Sequence, residues 1–266
     1  MGSQPITVHR RLPYSGVLTR RPARLERFRA RLSDGAGTTV HLASYAREAF
    51  SPRVVVLDEP APLVRWCLAR GTRDALVGGF FQRPDYRPLG ELRLAGRPAD
   101  FVPFLEPWGA RRGCLHIADG RMAVAARDQL GPEPAGDLLQ AGPVLVLGGR
   151  SVLAAHDPEG FSTGSEQFDS DITDGRYPRA AVGLTDDRVL AVACDGRNGR
   201  DAGMTLSELA DLLVMLGAGS ALNLDGGGSA SLVHDGRLRN RPREQHGLDL
   251  LDGRPVVTAL VFEPRG

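Results

Sequence analysis

Phe28, Ala30 and Leu32 alternate with Arg27, Arg29 and Arg31, the period of two expected of a strand that buries one face and wets the other. The turn residues Ser33-Asp34-Gly35-Ala36-Gly37 follow, and Thr38 to Leu42 is extended again, so residues 25–42 read as a hairpin. Arg53 to Leu57 is a short apolar strand; Asp58 to Pro62 then opens an amphipathic stretch carrying Leu63, Val64, Trp66, Cys67 and Leu68, which predicts a helix of about ten residues ending at Gly71. Ala75 to Val77 breaks at Gly78-Gly79 before Phe80 and Phe81, a strand opening into bare backbone where something must approach closely. From 89 to 155 short strands alternate with Gly, Pro and Asp: Gly90 to Leu94, Leu115 to Ile117, the turn Asp119-Gly120-Arg121, and Val144 to Leu147 entered through Gln140-Ala141-Gly142-Pro143. Residues 156–178 are polar and acidic and read as a surface loop closing over a site.

The last ninety or so residues carry the strongest patterns. Ala180 to Leu184 and Val189 to Cys194 are apolar strands joined by the turn Thr185 to Arg188, and the second delivers Asp195-Gly196-Arg197 at its end. Thr205-Leu206-Ser207-Glu208 is a capping box that starts a helix. Leu206, Leu209, Leu212, Leu213 and Leu216 form its apolar face and Gly217 stops it. Ala221 to Leu224 is a buried strand running into Asp225-Gly226-Gly227-Gly228-Ser229, and Pro255 to Phe262 is the final strand.

With 42% hydrophobic residues in a chain of 266, one full core is affordable, so the reading is a main domain over 38–266 with an Arg-rich strand segment, 1–37, packed on it. All 33 basic residues are arginine, a bias that fits a GC-rich bacterial genome; it excludes phosphate-loop and Schiff-base lysines. A net charge of +1 argues against broad nucleic-acid binding. Cys67, Cys114 and Cys194 form no CxxC, which leaves buried thiols rather than a disulfide or zinc framework. The six histidines lack metal-ligand spacing, and no GxGxxG fingerprint follows any strand. Met1 to Pro5 lacks the apolar core of a secretory signal and no run approaches a membrane span, so a cytoplasmic protein without membrane contact is expected. Oligomeric state is not legible.

Three glycines after a buried strand offer a row of amides that could converge on an anion, or a tight turn. Asp225, at that strand's end, is suited to proton transfer if burial raises its pKa, and Asp195 sits in a similar setting. Arg179 and Arg254 each stand at a strand entrance, where a guanidinium pair could clamp a phosphate.

The run Asn223 to Ser229, with Asp195-Gly196-Arg197 and the helix start Gly203-Met204-Thr205-Leu206, resembles the signature of the phosphodiester glycosidase family. Val77-Gly78-Gly79-Phe80-Phe81 is similar to its Asn-Gly-Gly-Phe-Phe, Gln140 to Pro143 to its Gln-x-Gly-Pro, Arg179 to Gly183 to its Arg-Thr-Ala-Ile-Gly, and Asn240-Arg241-Pro242 and Arg254-Pro255-Val256 to its closing motifs. Val77 replaces an Asn of the family pattern and Ala180 a Thr, which bears on the substrate.

The resemblance implies a mixed α/β (α+β) fold of twisted, largely antiparallel sheets with a few packed helices. It also implies hydrolysis of a small-molecule sugar-1-phosphodiester at the anomeric carbon, without a cofactor. On this reading Arg179, Arg254 and the amides of Gly226, Gly227 and Gly228 hold phosphate, and Asp225 or Asp195 serves catalysis. Gly78, Gly79, Phe80, Gln140, Arg197, Asn223 and Ser229 shape the substrate pocket. The expected setting is sugar-phosphate metabolism, with natural-product biosynthesis as one context. Two alternatives stand beside it: a phosphodiesterase using Mg²⁺ or Ca²⁺ on Asp195, Asp225 and acids of the 156–174 loop, and a noncatalytic binder of sugar phosphates or nucleotide sugars.

Overall fold

The strand Ala23–Arg31 pairs antiparallel with Gly37–Ala46 through nine registered residues, in a computed structural model that describes residues 6–9, 22–153, 159 and 175–265. This hairpin extends an eight-stranded sheet ordered Thr7–His9, Ala23–Arg31, Gly37–Ala46, Arg188–Cys194, Arg179–Leu184, Ser220–Asn223, Val144–Leu147 and Arg150–Ser151. A five-stranded sheet runs Arg121–Ala126, Gly113–Ala118, Asp137–Gln140, Leu92–Leu94, Arg97–Pro98, and another runs Arg237–Leu238, Leu232–His234, Ala75–Val77, Pro255–Pro264, Phe50–Pro62. Neighbouring strands within all three are antiparallel.

Strand alternation divides the interior. Ala180, Val182 and Leu184, with Ala191 and Ala193 of the next strand, face a core shared with the two smaller sheets. Ala181, Leu190, Val192 and Cys194 face the opposite way, onto Leu206, Leu209, Leu212 and Leu213 of the helix Leu206–Met215. Both halves of the capping box form: Thr205 Oγ1 accepts from the Glu208 N–H at 3.1 Å and the Glu208 carboxylate accepts from the Thr205 N–H at 2.9 Å. Thr205→Ala is therefore expected to cost about 1 kcal/mol in a denaturant titration. Gly217, at φ +88, ends the turn.

Two expectations are corrected. The helix after residue 58 is shorter, Leu63–Arg70, because the preceding strand continues to Pro62. Pro60 and Pro62 hold the residues before them extended, and antiparallel pairing with Pro255–Pro264 fixes that conformation. Most of the acidic 156–178 segment lies outside the described residues, but Glu159 is not a surface acid. It is buried, and its carboxylate accepts the backbone N–H groups of Gly113 at 2.8 Å and Val144 at 2.7 Å, which compensates its desolvation. The three cysteines are buried free thiols. Among the described residues no helix is long and apolar enough to cross a membrane.

Candidate functional site

Antiparallel pairing sets Ala181 opposite Asn223 and Arg179 opposite Cys194. The exits of two central strands, Asn223 to Asp225 and Cys194 to Arg197, therefore meet the entrance of a third at one end of the sheet. A cavity of about 460 Å³ opens there. Asp225, Arg179, Arg197, Asn223, Gly226, Gly227, Phe80 and Arg254 line it, joined by Arg83, Tyr177, Leu224, Glu244 and Gln245.

The row of amides expected to bind an anion is largely taken up within the protein. The Gly226 N–H donates to Asp225 Oδ1 at 2.8 Å, and the Gly227 N–H donates to the Pro178 carbonyl at 2.8 Å, so two of the three amides are already engaged. What the glycines supply is space. A Cβ on Gly226 would lie 2.9 Å from the Pro178 carbonyl oxygen, one on Gly227 3.3 Å from Arg197 Nη1, and one on Gly228 2.9 Å from Glu244 Oε1. Gly227 also requires its φ of +59. The turn thus lets a carbonyl, a guanidinium and a carboxylate pack directly against the three residues that follow Asp225.

Asp225 is half-buried at the cavity wall. Loss of water raises its carboxyl to about 6, against the pull of the Ser229 hydroxyl, the Arg254 guanidinium, the Gly226 N–H and Arg83. Its own N–H donates to the Gly78 carbonyl at 3.1 Å. Gly78 itself lies behind the cavity, where a side chain would strike Thr258 at 2.5 Å; the Gly79 N–H donates to Thr258 Oγ1 at 3.0 Å. Burial likewise lowers Arg179, to about 10, leaving it charged at neutral pH. Arg179 Nε donates to the Met204 carbonyl at 2.9 Å and Nη2 to the Gly175 carbonyl at 2.9 Å. The Tyr177 ring sits 5.3 Å from the Arg179 guanidinium and 5.1 Å from that of Arg197, an aromatic surface shared by two cations. Arg254 holds Glu244 in a two-pronged pair, at 2.7 Å and 2.5 Å.

Asn223 is buried, with Nδ2 donating to the Gly142 carbonyl at 2.9 Å, yet among the described residues its Oδ1 has no hydrogen-bond partner. The buried Ser229 hydroxyl is near enough to act on the Asp225 carboxyl, but among the described residues it has no partner within hydrogen-bond geometry. A buried acceptor lining a cavity without a partner is one that a ligand hydroxyl can satisfy.

Other predicted residues lie elsewhere. Asp195 is buried beneath the site, where Oδ1 accepts the Arg241 N–H at 2.7 Å and Oδ2 faces His41 Nε2 at 3.2 Å; it does not line the cavity. Gln140 spans a separate hollow, accepting from the Glu91 N–H at 2.9 Å and donating to the Gly109 carbonyl at 2.5 Å. Val77 is wholly buried in the main core. Of the two acids expected as metal ligands outside the loop, only Asp225 reaches the cavity, and among the described residues no three His, Cys, Asp or Glu side chains gather as a metal set. Arg83, Glu244 and Gln245 were not anticipated. Tyr177, preceding Pro178 and Arg179, was the one addition with a local signal.

The model of the phosphodiester glycosidase family matches residues 71–263. Among solved structures, the catalytic domain of zebrafish N-acetylglucosamine-1-phosphodiester alpha-N-acetylglucosaminidase, auto-inhibited by its pro-peptide, superposes with a TM-score of 0.70 at 18% identity, over 98% of this chain and 88% of that one. A hypothetical protein from Synechocystis gives 0.65 at 18% identity over 92% of this chain; the present chain spans 62% of that protein. A Burkholderia pseudomallei protein gives 0.62 at 16% identity, over 86% and 75% of the two chains. These likenesses show a shared mixed fold of mostly antiparallel sheets. No curated protein matches the chain by sequence.

Proposed function

The chain belongs to the phosphodiester glycosidase family, and from that premise we propose that it hydrolyses the anomeric carbon–oxygen bond of a sugar-1-phosphodiester, releasing the sugar and a phosphate monoester. The observation that carries the reading is the half-buried carboxylate of Asp225, raised toward neutrality, in a cavity lined by the guanidinium groups of Arg83, Arg179, Arg197 and Arg254.

Phosphate is a good leaving group, so the demand on the protein is to stabilise charge growing on the departing oxygen and to present water to the anomeric carbon. Arginines suit the first task. Asp225 suits the second: mostly ionised at neutral pH with its value near 6, it accepts the proton of the attacking water as the oxygen bonds to carbon and the phosphate leaves with the electron pair of the broken bond. The unpartnered Asn223 Oδ1 accepts from a sugar hydroxyl, and Phe80 and Tyr177 provide apolar wall.

Because the base must be deprotonated, kcat/KM is expected to be level above about pH 6 and to fall toward tenfold per unit below it. The identity of the broken bond is read by turnover of sugar-1-phosphodiesters, UDP-N-acetylglucosamine and a methyl-linked analogue among them, in oxygen-18 water. Label in the free sugar is the expected result. Label in phosphate would transfer the protein to phosphorus–oxygen cleavage, and measurable binding without turnover would make it a sugar-phosphate binder.

A further inference from the structure

Glu244 is the second carboxylate of the cavity, and the proposed hydrolysis gives it no task. Its position is nonetheless closely specified. Both carboxylate oxygens are taken by Arg254, whose own N–H donates to the Gly228 carbonyl at 2.9 Å. One of those oxygens fills the space that any side chain at residue 228 would need. Arg197 and Arg83 stand close enough to add to the Arg254 hydrogen bonds in holding the carboxyl below its ordinary value. Glu244 is thus a permanent anion set among the groups that would receive phosphate.

The charge count shows what this does. Among the described lining residues, Arg83, Arg179, Arg197 and Arg254 face Asp225 and Glu244, four positive charges against two negative. Neutralising Glu244 makes the cavity one charge more positive. The two anions that the reaction must tell apart differ by one charge: a phosphodiester carries −1, and a phosphate monoester approaches −2 above its second pKa of about 6. An uncompensated arginine cluster would hold the dianion more tightly and retain the product.

We propose that Glu244 is a specificity-determining residue which, fixed among the arginines, biases the cavity toward the monoanionic diester and against the dianionic monoester. The proposal rests on the phosphodiester reading of the same cavity for its biological sense, though the charge selectivity is measurable without turnover. Repulsion between a fixed carboxylate and the additional charge of a dianion, in partly screened surroundings, is worth about tenfold or more in relative affinity.

The test is calorimetric titration at pH 8 of the intact protein with dimethyl phosphate and with methyl phosphate, in the wild type, Glu244→Gln and Glu244→Asp. The expected result is that Glu244→Gln raises affinity for methyl phosphate about tenfold more than for dimethyl phosphate, while Glu244→Asp keeps the wild-type ratio. A general effect on packing would move both ligands together, and that outcome, or an unchanged ratio in Glu244→Gln, overturns the proposal. If Glu244→Gln does not melt cooperatively, Glu244→Ala is titrated in its place with the same two readings. Should the ratio shift while no sugar phosphodiester is hydrolysed, the selectivity stands and the glycosidase reading falls; the reverse pattern separates them the other way.

Discussion

Asp225→Asn is expected to lower kcat/KM for a sugar-1-phosphodiester by about 10²–10⁴-fold, the range over which removal of a positioned proton acceptor acts. The substitution keeps the shape of the side chain and an oxygen able to accept the Gly226 N–H, so the turn that carries it need not move. What it removes is basicity. The carboxylate is held at a raised value because it is short of water, so its replacement by a neutral amide relieves a desolvation cost and the melting temperature should not fall. Steady-state kinetics beside a thermal melt checks both halves. Activity within about tenfold of wild type would remove Asp225 from the proton transfer, and loss of activity accompanied by a large fall in melting temperature would assign it to the fold instead. Asp225→Asn should also abolish the acid limb near pH 6, which a purely structural residue would not do.

The comparison of Asp225 with Asp195 shows how far the sequence could be read. Both follow apolar strands and both precede glycine, so local pattern offers no way to rank them. Strand pairing separates them. Ala193 lies opposite His41 on the neighbouring strand, which brings that imidazole to Asp195, and the N–H of Arg241 takes the other oxygen. A carboxylate so occupied supports the loop leading to Arg243, whose carbonyl receives Arg197 at 3.0 Å. The strands, the Thr205 cap and the Gly217 stop depend on neighbours within a few residues, and periodicity exposes them. Glu244 and Arg83 occupy irregular segments and enter the site only through tertiary packing. The triple glycine lies between these cases: its composition announced a turn or a row of amides, while the groups packed against it, Pro178, Arg197 and Glu244, come from other parts of the chain.

Arg179→Lys is expected to cost about 10²-fold in kcat/KM although the formal charge is conserved. Arg179 spends Nε on the Met204 carbonyl and Nη2 on the Gly175 carbonyl, so the planar fork is aligned by backbone on one side while the guanidinium still lines the cavity. A lysine cannot reproduce that fork, and it would leave a buried carbonyl without its donor. Its charge is also weaker there. The burial that lowers arginine to about 10 acts on an ammonium that starts about two units lower than a guanidinium, bringing it toward the working pH. If Arg179 acts chiefly on charge that develops as phosphate departs, kcat falls and KM changes little. A rise in KM at constant kcat would make Arg179 a ground-state anchor, leaving Arg254 and Arg197 to stabilise the leaving group. The first outcome is favoured, because a guanidinium immobilised by two backbone carbonyls cannot follow the substrate and is best used where charge appears at a fixed point.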